Sequence, residues 1–269
     1  SLTSVVANTP RGANNQILIL TLTQDQSNAT RRRLERACVE GVGVTIRVES
    51  MREYLMNLVM WMTPIGYARS RASSSYHTEE EIVAGALCIN RLSFMDRRQV
   101  TQAVSATVSR FCYSSDRDIG PQHCPDWVKL SEGEARILVE HANQYWQTMQ
   151  DPSQTGLGLP LRLHHLWKIA ELAQLPISRE IASVVVDEAH DVPAGIIRWL
   201  RSNDGVGLWL LGDEFQHYGK HPQPFFSLAG NYRQTLTHSY RCGRDSEDLV
   251  NPLLERHPAN EQAGVTFEG

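Results

Sequence analysis

Two adjacent carboxylates, Asp187 and Glu188, directly follow a run of valines in the segment VVVDEAHD (184–191). A charged carboxylate at the end of a buried strand is costly unless it is paired with or coordinates another group. A metal ion, a catalytic water or a helix N-terminus could each be that partner. Because Asp-Glu at a strand end is also common as a solvated turn or a helix cap, this segment alone does not favour catalysis.

Polar residues also follow two later apolar runs. The segment WLLGDEFQ (209–216) ends in Gln216, and LTHSYR (236–241) ends in Arg241. In phosphoryl transfer, one carboxylate can hold hydrated Mg²⁺ while a neighbouring carboxylate activates the attacking water. A carboxylate pair, a glutamine and an arginine, each after its own apolar run, therefore predict a magnesium-nucleotide site.

The elements that position these residues alternate between strand and helix. Near-continuous apolar runs are typical of strands covered on both faces, and most of them precede a helical pattern. The expected helix caps are Ser27 or Asn28, then Ser50, then Asp191 with Pro193 in the first turn. This order predicts right-handed crossovers and an α/β fold with a doubly wound parallel sheet, which binds ligands at the carboxyl ends of its strands. The predicted strands span 16–24, 42–50, 181–191 and 206–216, and a less clear fifth strand spans 233–241.

The pattern changes between about residues 61 and 175. Four segments there show apolar residues at i, i+3 and i+4 spacing without a strand-like run, which predicts helices. We expect a helical insertion between the second and third strands. In it, Trp127, Trp146 and Trp167 are predicted to be core residues, and His164 and His165 exposed residues of a loop or helix end. The helical segments span 78–94, 96–115, 131–150 and 160–174.

Composition limits the class of protein. The formal net charge of −4 over 269 residues argues against a wholly basic nucleic-acid coat protein but leaves room for a local basic groove. The five cysteines lack a CxxC pair, which indicates free thiols rather than a disulfide frame or a zinc site. The apolar run ILIL (17–20) is too short to span a bilayer, and we expect a cytoplasmic protein, nucleoid-associated if bacterial and nuclear if eukaryotic.

In order and type, these segments resemble the first motor domain of superfamily 1 helicases of the UvrD/Rep type. The likeness lies in LILTLTQDQSNATRRRLER, TIRVESMREY, VVVDEAHD, LLGDEFQ and LTHSYRCG. Within that family the chain is most similar to the F-box DNA helicase branch, through segments 100–128 and 159–176. The resemblance implies a RecA-like sheet in residues 1–60 and 176–255. It also implies an all-helical insertion at 61–175 and the start of a truncated second motor domain at 256–269.

The resemblance also implies roles at an ATP site. Asp187 would coordinate Mg²⁺, and Glu188, next to the metal, would act as the general base. Gln216 would sense the terminal phosphate and couple it to DNA, and Arg241 would stabilise charge on the transferred phosphoryl group.

Four further residues are implied to lie along single-stranded DNA. Thr21, Thr23 and Arg47 would follow the strand path, and Tyr218 would stack on bases, which holds a single strand without reading its sequence. Asp25 stands where the family commonly has a lysine. Partners are therefore expected to be single-stranded DNA or DNA junctions, with no membrane.

The family's phosphate-binding loop is not found in this sequence. No Gly-Lys-[Ser/Thr] tripeptide occurs in the 269 residues, so the backbone nest and lysine for the phosphates are missing. One hypothesis is a fragment of an ATP-dependent DNA translocase, with 3′-to-5′ polarity by resemblance and a role in repair or recombination. Its missing loop would lie upstream, and this chain alone would be inactive. The alternatives are a degenerate helicase-like protein that binds nucleic acid or a partner without turnover, and an unrelated α/β binding module.

Overall fold

A computed structural model describes residues 16–36, 44–64, 83–85, 87, 89, 92, 95–151, 159, 161–213, 238–239, 251–252 and 266–267. The strands are β1 (Gln16–Thr21), β2 (Thr45–Ser50), β3 (Ile181–Val186), β4 (Gly207–Leu210), β5 (His238–Ser239) and β6 (Thr266–Phe267). The helices are α1 (Gln24–Arg36), α2 (Met51–Met62), α3 (Arg97–Tyr113), α4 (Glu132–Gln150), α5 (Leu163–Ala173) and α6 (Ala194–Arg201). Short 3-10 helices span Pro121–His123 and Ala189–Asp191.

The main sheet is parallel throughout and has the strand order β2-β1-β3-β4. From β1 the chain moves outward to β2, then returns past β1 to β3 and continues to β4. The strand order therefore reverses between β1 and β3, and the crevice outside their carboxyl ends is where open α/β sheets bind ligands. The prediction of an α/β fold with these four strands in parallel is confirmed, and the sheet is compatible with a RecA-like fold.

Helices cover both faces of the sheet. Leu18 and Leu20 of β1 join the larger core with α2 and α6, whereas Ile17 and Ile19 pack on the other face, which Leu34 of α1 covers. This arrangement follows from right-handed crossovers, because a reversal in strand order moves the connecting helix to the opposite face. β3 is buried along its whole length, as its run of valines predicts.

The helix starts differ in part from the predicted caps. Ser50 caps α2 as predicted, with its hydroxyl accepting the Glu53 amide at 3.2 Å. The cap expected at Ser27 or Asn28 was placed too late, because Thr23 starts α1. The Thr23 hydroxyl accepts the Gln26 amide, and Gln26 Oε1 accepts the Thr23 amide at 2.9 Å. This reciprocal pair satisfies two amides that the first turn leaves open.

The helix after β3 also starts later than predicted. Asp191 was expected to cap it, but Asp191 ends a 3-10 helix and Pro193 is the N-cap of α6. The carbonyl groups of Glu188 and Ala189 accept amides within the 3-10 turn, so the α-helix cannot begin there. The turn leaves the residues after β3 as a compact loop.

Three helices of the predicted insertion, α3, α4 and α5, lie where their spacing indicates. Asp96 and Ser131 cap α3 and α4 through reciprocal side-chain and backbone hydrogen bonds. α5 packs against α2 and α6, and all three insertion helices share one hydrophobic core with the sheet. The insertion as a separate all-helical subdomain, and the boundaries 1–60, 61–175, 176–255 and 256–269, stay predictions.

In the parts of the chain that the structure describes, the helices are too short or too polar to cross a bilayer.

A buried lysine connects α5 to its neighbours. Lys168 is 0% exposed, and its Nζ donates to the Glu171 carboxylate at 3.0 Å and to the Ser114 carbonyl at 3.1 Å. Glu171 also lies 4.0 Å from Arg198 on α6. A Cβ on Gly195 would lie 2.5 Å from Glu171 Oε2, so glycine permits this close approach. A buried charge needs such partners to offset its desolvation.

Aromatic side chains fill the space between α3, α4 and α5. Trp146 and Trp167 are buried, as predicted, whereas Trp127 is 60% exposed because it lies in the loop before α4 rather than on a helix. His164 and His165 lie at the start of α5, but the expectation that they are exposed was wrong. The ring of His165 is buried and its Nδ1 accepts the Arg162 amide at 3.1 Å.

His164 stacks on Tyr113, and burial, followed by the charge of Arg162, lowers the pKa of His164 to about 4. A histidine pKa lowered on folding means that the unfolded chain binds a proton more readily. We therefore expect stability to fall by up to about 2 kcal/mol as the pH drops from about 7 to about 5. His164→Phe keeps a stacking ring without a titrating group and should flatten this slope in urea unfolding at several pH values. A His164→Phe slope equal to that of the wild type would contradict the assignment.

Candidate functional site

The acidic end of β3 lies at the reversal point of the sheet. The amide of Asp187 donates to the Leu20 carbonyl of β1 at 2.9 Å. The amide of Leu211 donates to the Val186 carbonyl at 2.9 Å, and the amide of Ala189 donates to the Leu211 carbonyl at 2.8 Å. The backbone of the Asp-Glu pair is thus held between β1 and the end of β4.

Glu188 has a left-handed backbone conformation, with φ 54° and ψ 41°. Residues other than glycine seldom adopt it, and it costs about 1–2 kcal/mol. The conformation starts the 3-10 turn, and the Glu188 side chain remains 38% exposed. Asp187 is partly buried, and its Oδ1 accepts the Glu188 amide at 3.2 Å. Both carboxylates are therefore partly open to solvent at the carboxyl end of β3.

The loop after β1 follows the carboxyl end of the strand next to β3. Thr21 is 1% exposed, and its hydroxyl pairs with Ser27 Oγ at 2.6 Å and donates to the Thr23 carbonyl at 2.9 Å. Its side chain shapes the loop, and contact with DNA would require the loop to open. Thr23 is exposed at the start of α1. The two DNA-contact assignments stay predictions, and Thr23 is the more accessible residue.

Arg47, the third residue expected along the DNA path, lies on β2. Its Nε donates to the Glu49 carboxylate, so its charge is already paired on the same strand. The charges of Arg47 and Glu49 both act on the pKa of Tyr54 on α2. Burial is the main cause that raises the pKa of Tyr54 to about 12, with Arg47 lowering the pKa and Glu49 raising it. Arg47 at 44% side-chain exposure can still meet a phosphate, but in competition with Glu49.

His190 also lies at the site, and its role could not be settled from the sequence. The His190 side chain is 4% exposed, and its Nδ1 accepts the Asp213 amide at 3.1 Å. The same Nδ1 lies 3.6 Å from Glu188 Oε2. His190 therefore connects the loop after β3 with the end of β4. A signal was present in the sequence, since His190 follows Asp187 and Glu188 within the same short segment, VVVDEAHD.

Three of the predicted residues, Gln216, Tyr218 and Arg241, lie outside the described residues. Their roles stay predictions.

Metal binding at this site would rest on few protein ligands. Among the residues that the structure describes, no group of three or more His, Cys, Asp or Glu side chains could hold a metal ion. Mg²⁺ is usually bound by one or two carboxylates together with phosphate oxygens and water. As two adjacent carboxylates, Asp187 and Glu188 fit that kind of site.

A second histidine, His123, could be mistaken for a catalytic base because Ser114 and Asp116 are near it. Its Nδ1 accepts the Gly120 amide at 2.9 Å, so in the neutral ring the proton is on Nε2. Nε2 lies 3.1 Å from both Ser114 Oγ and Asp116 Oδ2. A protonated Nε2 cannot take a proton from Ser114, and His123 therefore stabilises its loop.

Part of the chain is similar in sequence to a known DNA helicase. No family model matches the chain. The chain is 26% identical over 166 residues to F-box DNA helicase 1 of Gallus gallus, an alignment that covers 57% of this chain. The chain spans 16% of the length of that protein. This similarity supports a helicase-like relationship.

The strained conformation of Glu188 leads to a stability test. Glycine adopts positive φ without steric cost. We therefore expect the free energy of unfolding of Glu188→Gly to exceed that of Glu188→Ala by about 1 kcal/mol, and Glu188→Gly to unfold at a higher urea concentration. Both variants lack the carboxylate, and alanine is the matched control for its loss. Equal stability, or a less stable glycine variant, would show that the left-handed conformation is not present in solution.

Proposed function

We propose that this chain is part of a helicase-like motor of the UvrD/Rep type, which couples ATP hydrolysis to movement along single-stranded DNA. The observation that carries the proposal is the position of Asp187 and Glu188 at the reversal point between β1 and β3. The similarity to a protein named as a DNA helicase supports the nucleic-acid part. Polarity from 3′ to 5′ and a role in repair or recombination are extensions by resemblance.

The residues of the crevice suit a magnesium-nucleotide. Bound Mg²⁺ would neutralise charge on the phosphates, with Asp187 as its protein ligand. Glu188, held at the rim of the crevice by its left-handed backbone, would orient a water molecule and accept its proton. Gln216 and Arg241 would act on the terminal phosphate from the segments that follow β4 along the chain.

Single-stranded DNA would pass near the carboxyl ends of β1 and β2. The loop 21–23 and the start of α1 form the rim of the crevice there, and Thr23 offers an exposed hydroxyl. Tyr218 would supply the aromatic surface on which a base stacks. Movement of the β1 loop would then shift the backbone of Asp187, because the Asp187 amide donates a hydrogen bond to the Leu20 carbonyl.

A second candidate is a helicase-like protein that binds nucleic acid or a protein partner without turnover. The observation in its favour is the lack of a Gly-Lys-[Ser/Thr] tripeptide in the 269 residues. Without the backbone nest and the lysine of that motif, ATP would lose most of its phosphate contacts.

Hydrolysis assays separate the two candidates. We expect the 269-residue chain to hydrolyse essentially no ATP, with or without single-stranded DNA, because it lacks the phosphate contacts. A longer polypeptide that carries a phosphate-binding loop upstream should show DNA-stimulated hydrolysis. In it, Asp187→Ala, Glu188→Gln or Arg241→Ala should each lower the rate by about a hundredfold or more.

Glu180→Gln is the matched control, because it removes an exposed carboxylate just before β3, at the opposite end of the strand. It should retain wild-type turnover. If the longer polypeptide binds DNA but hydrolyses no ATP, the second candidate is favoured. If Arg241→Ala alone keeps the full rate, the role given to Arg241 is wrong.

A further inference from the structure

The amide of Asp213 poses a problem of backbone hydrogen bonding at the end of β4. In a parallel sheet, the ladder between β3 and β4 would offer this amide a carbonyl beyond Val186. The carbonyls of Glu188 and Ala189 instead accept the amides of Asp191 and Val192 within the 3-10 turn. A partly buried amide needs another acceptor in their place.

The imidazole of His190 is that acceptor. Its Nδ1 lies 3.1 Å from the Asp213 nitrogen, and its side chain is almost completely buried. Nδ1 can accept only through a free lone pair, so in the neutral ring the proton is on Nε2. The side chain therefore continues the contact between β3 and β4 past the point at which the backbone ladder stops.

We propose that His190 is a positioning residue, which holds the end of β4 at a fixed place relative to Glu188. Two features join here. Glu188 starts the turn that presents His190, and His190 fixes Asp213, after which the chain continues toward Gln216. The role in turnover rests on the proposed function, whereas the hydrogen bond itself can be tested on this chain alone.

Three substitutions separate hydrogen bonding from packing. His190→Asn places a carbonyl oxygen as many bonds from Cα as Nδ1 is, so it can accept the Asp213 amide. His190→Leu fills similar space without an acceptor, and His190→Gln places its acceptor one bond farther out. Amide exchange at Asp213, measured by NMR on the 269-residue chain, should be about tenfold faster in His190→Leu than in the wild type or His190→Asn. His190→Gln should lie closer to His190→Leu.

The nitrogen chemical shifts of the ring provide a readout that does not depend on any variant folding. We expect Nδ1 of His190 in the wild-type chain to have the shift of an unprotonated nitrogen, and Nε2 that of a protonated one. A protonated Nδ1 would overturn the proposal. Unchanged exchange at Asp213 in His190→Leu, or equally fast exchange in His190→Asn, would also overturn it.

Turnover tests the positioning role. In the longer polypeptide with a phosphate-binding loop, His190→Leu should lower kcat for DNA-stimulated hydrolysis by about tenfold or more and leave KM for ATP nearly unchanged, and His190→Asn should restore kcat. An unchanged kcat in His190→Leu would refute the positioning role. Absence of wild-type turnover would instead refute the proposed function, and amide exchange at Asp213 would still decide the hydrogen bond.

Discussion

Pairing between β1 and β3 brings together two parts of the chain that are separated by the whole helical region. The ladder continues one step past β3, where the Asp187 amide bonds to the Leu20 carbonyl. Both strands are buried and their side chains alternate between two apolar core faces, so a slip of one residue would bring side chains of a different shape into each packed face. The register is therefore well specified, and it places the β1 loop and the acidic pair on either side of one crevice.

The local structure at the acidic end is unfavourable by itself and depends on its surroundings. Glu188 adopts a strained conformation, and the turn it begins uses two carbonyls that a longer ladder would have shared with β4. His190 compensates by accepting the Asp213 amide. Farther along, α6 is held against α5 near the Lys168–Glu171 pair, so the helical region and the site share one packed core. Strain of this kind is common where function requires a fixed side-chain position.

The apolar runs and their polar ends were sufficient to predict the four parallel strands and the position of Asp187 beside the carboxyl end of β1, because parallel strands align their carboxyl ends. The same reasoning could not find the conformation of Glu188 or the hydrogen bond from Asp213 to His190, since both arise from backbone groups competing for acceptors. It misplaced the caps of α1 and α6 for a related reason. Several residues could serve as caps, and the one chosen depends on how the loop packs. Trp127 was expected in the core but is exposed, because it lies in a loop and not on a helix. His165 was expected to be exposed but is buried, because the start of α5 packs against other helices.

Paramagnetic broadening by Mn²⁺ bound with a hydrolysis-resistant ATP analogue would show directly at which end of the parallel strands the nucleotide binds. The sample is the longer polypeptide with a phosphate-binding loop, labelled with ¹⁵N. The amides of Thr21, Thr23, Asp187 and Glu188 should broaden most, whereas those of Ser178 and Gly205, just before β3 and β4 at the opposite end of the strands, should stay sharp. Strongest broadening at Ser178 and Gly205, or none at Asp187 with the nucleotide bound, would contradict a nucleotide site at the carboxyl ends of β1 and β3.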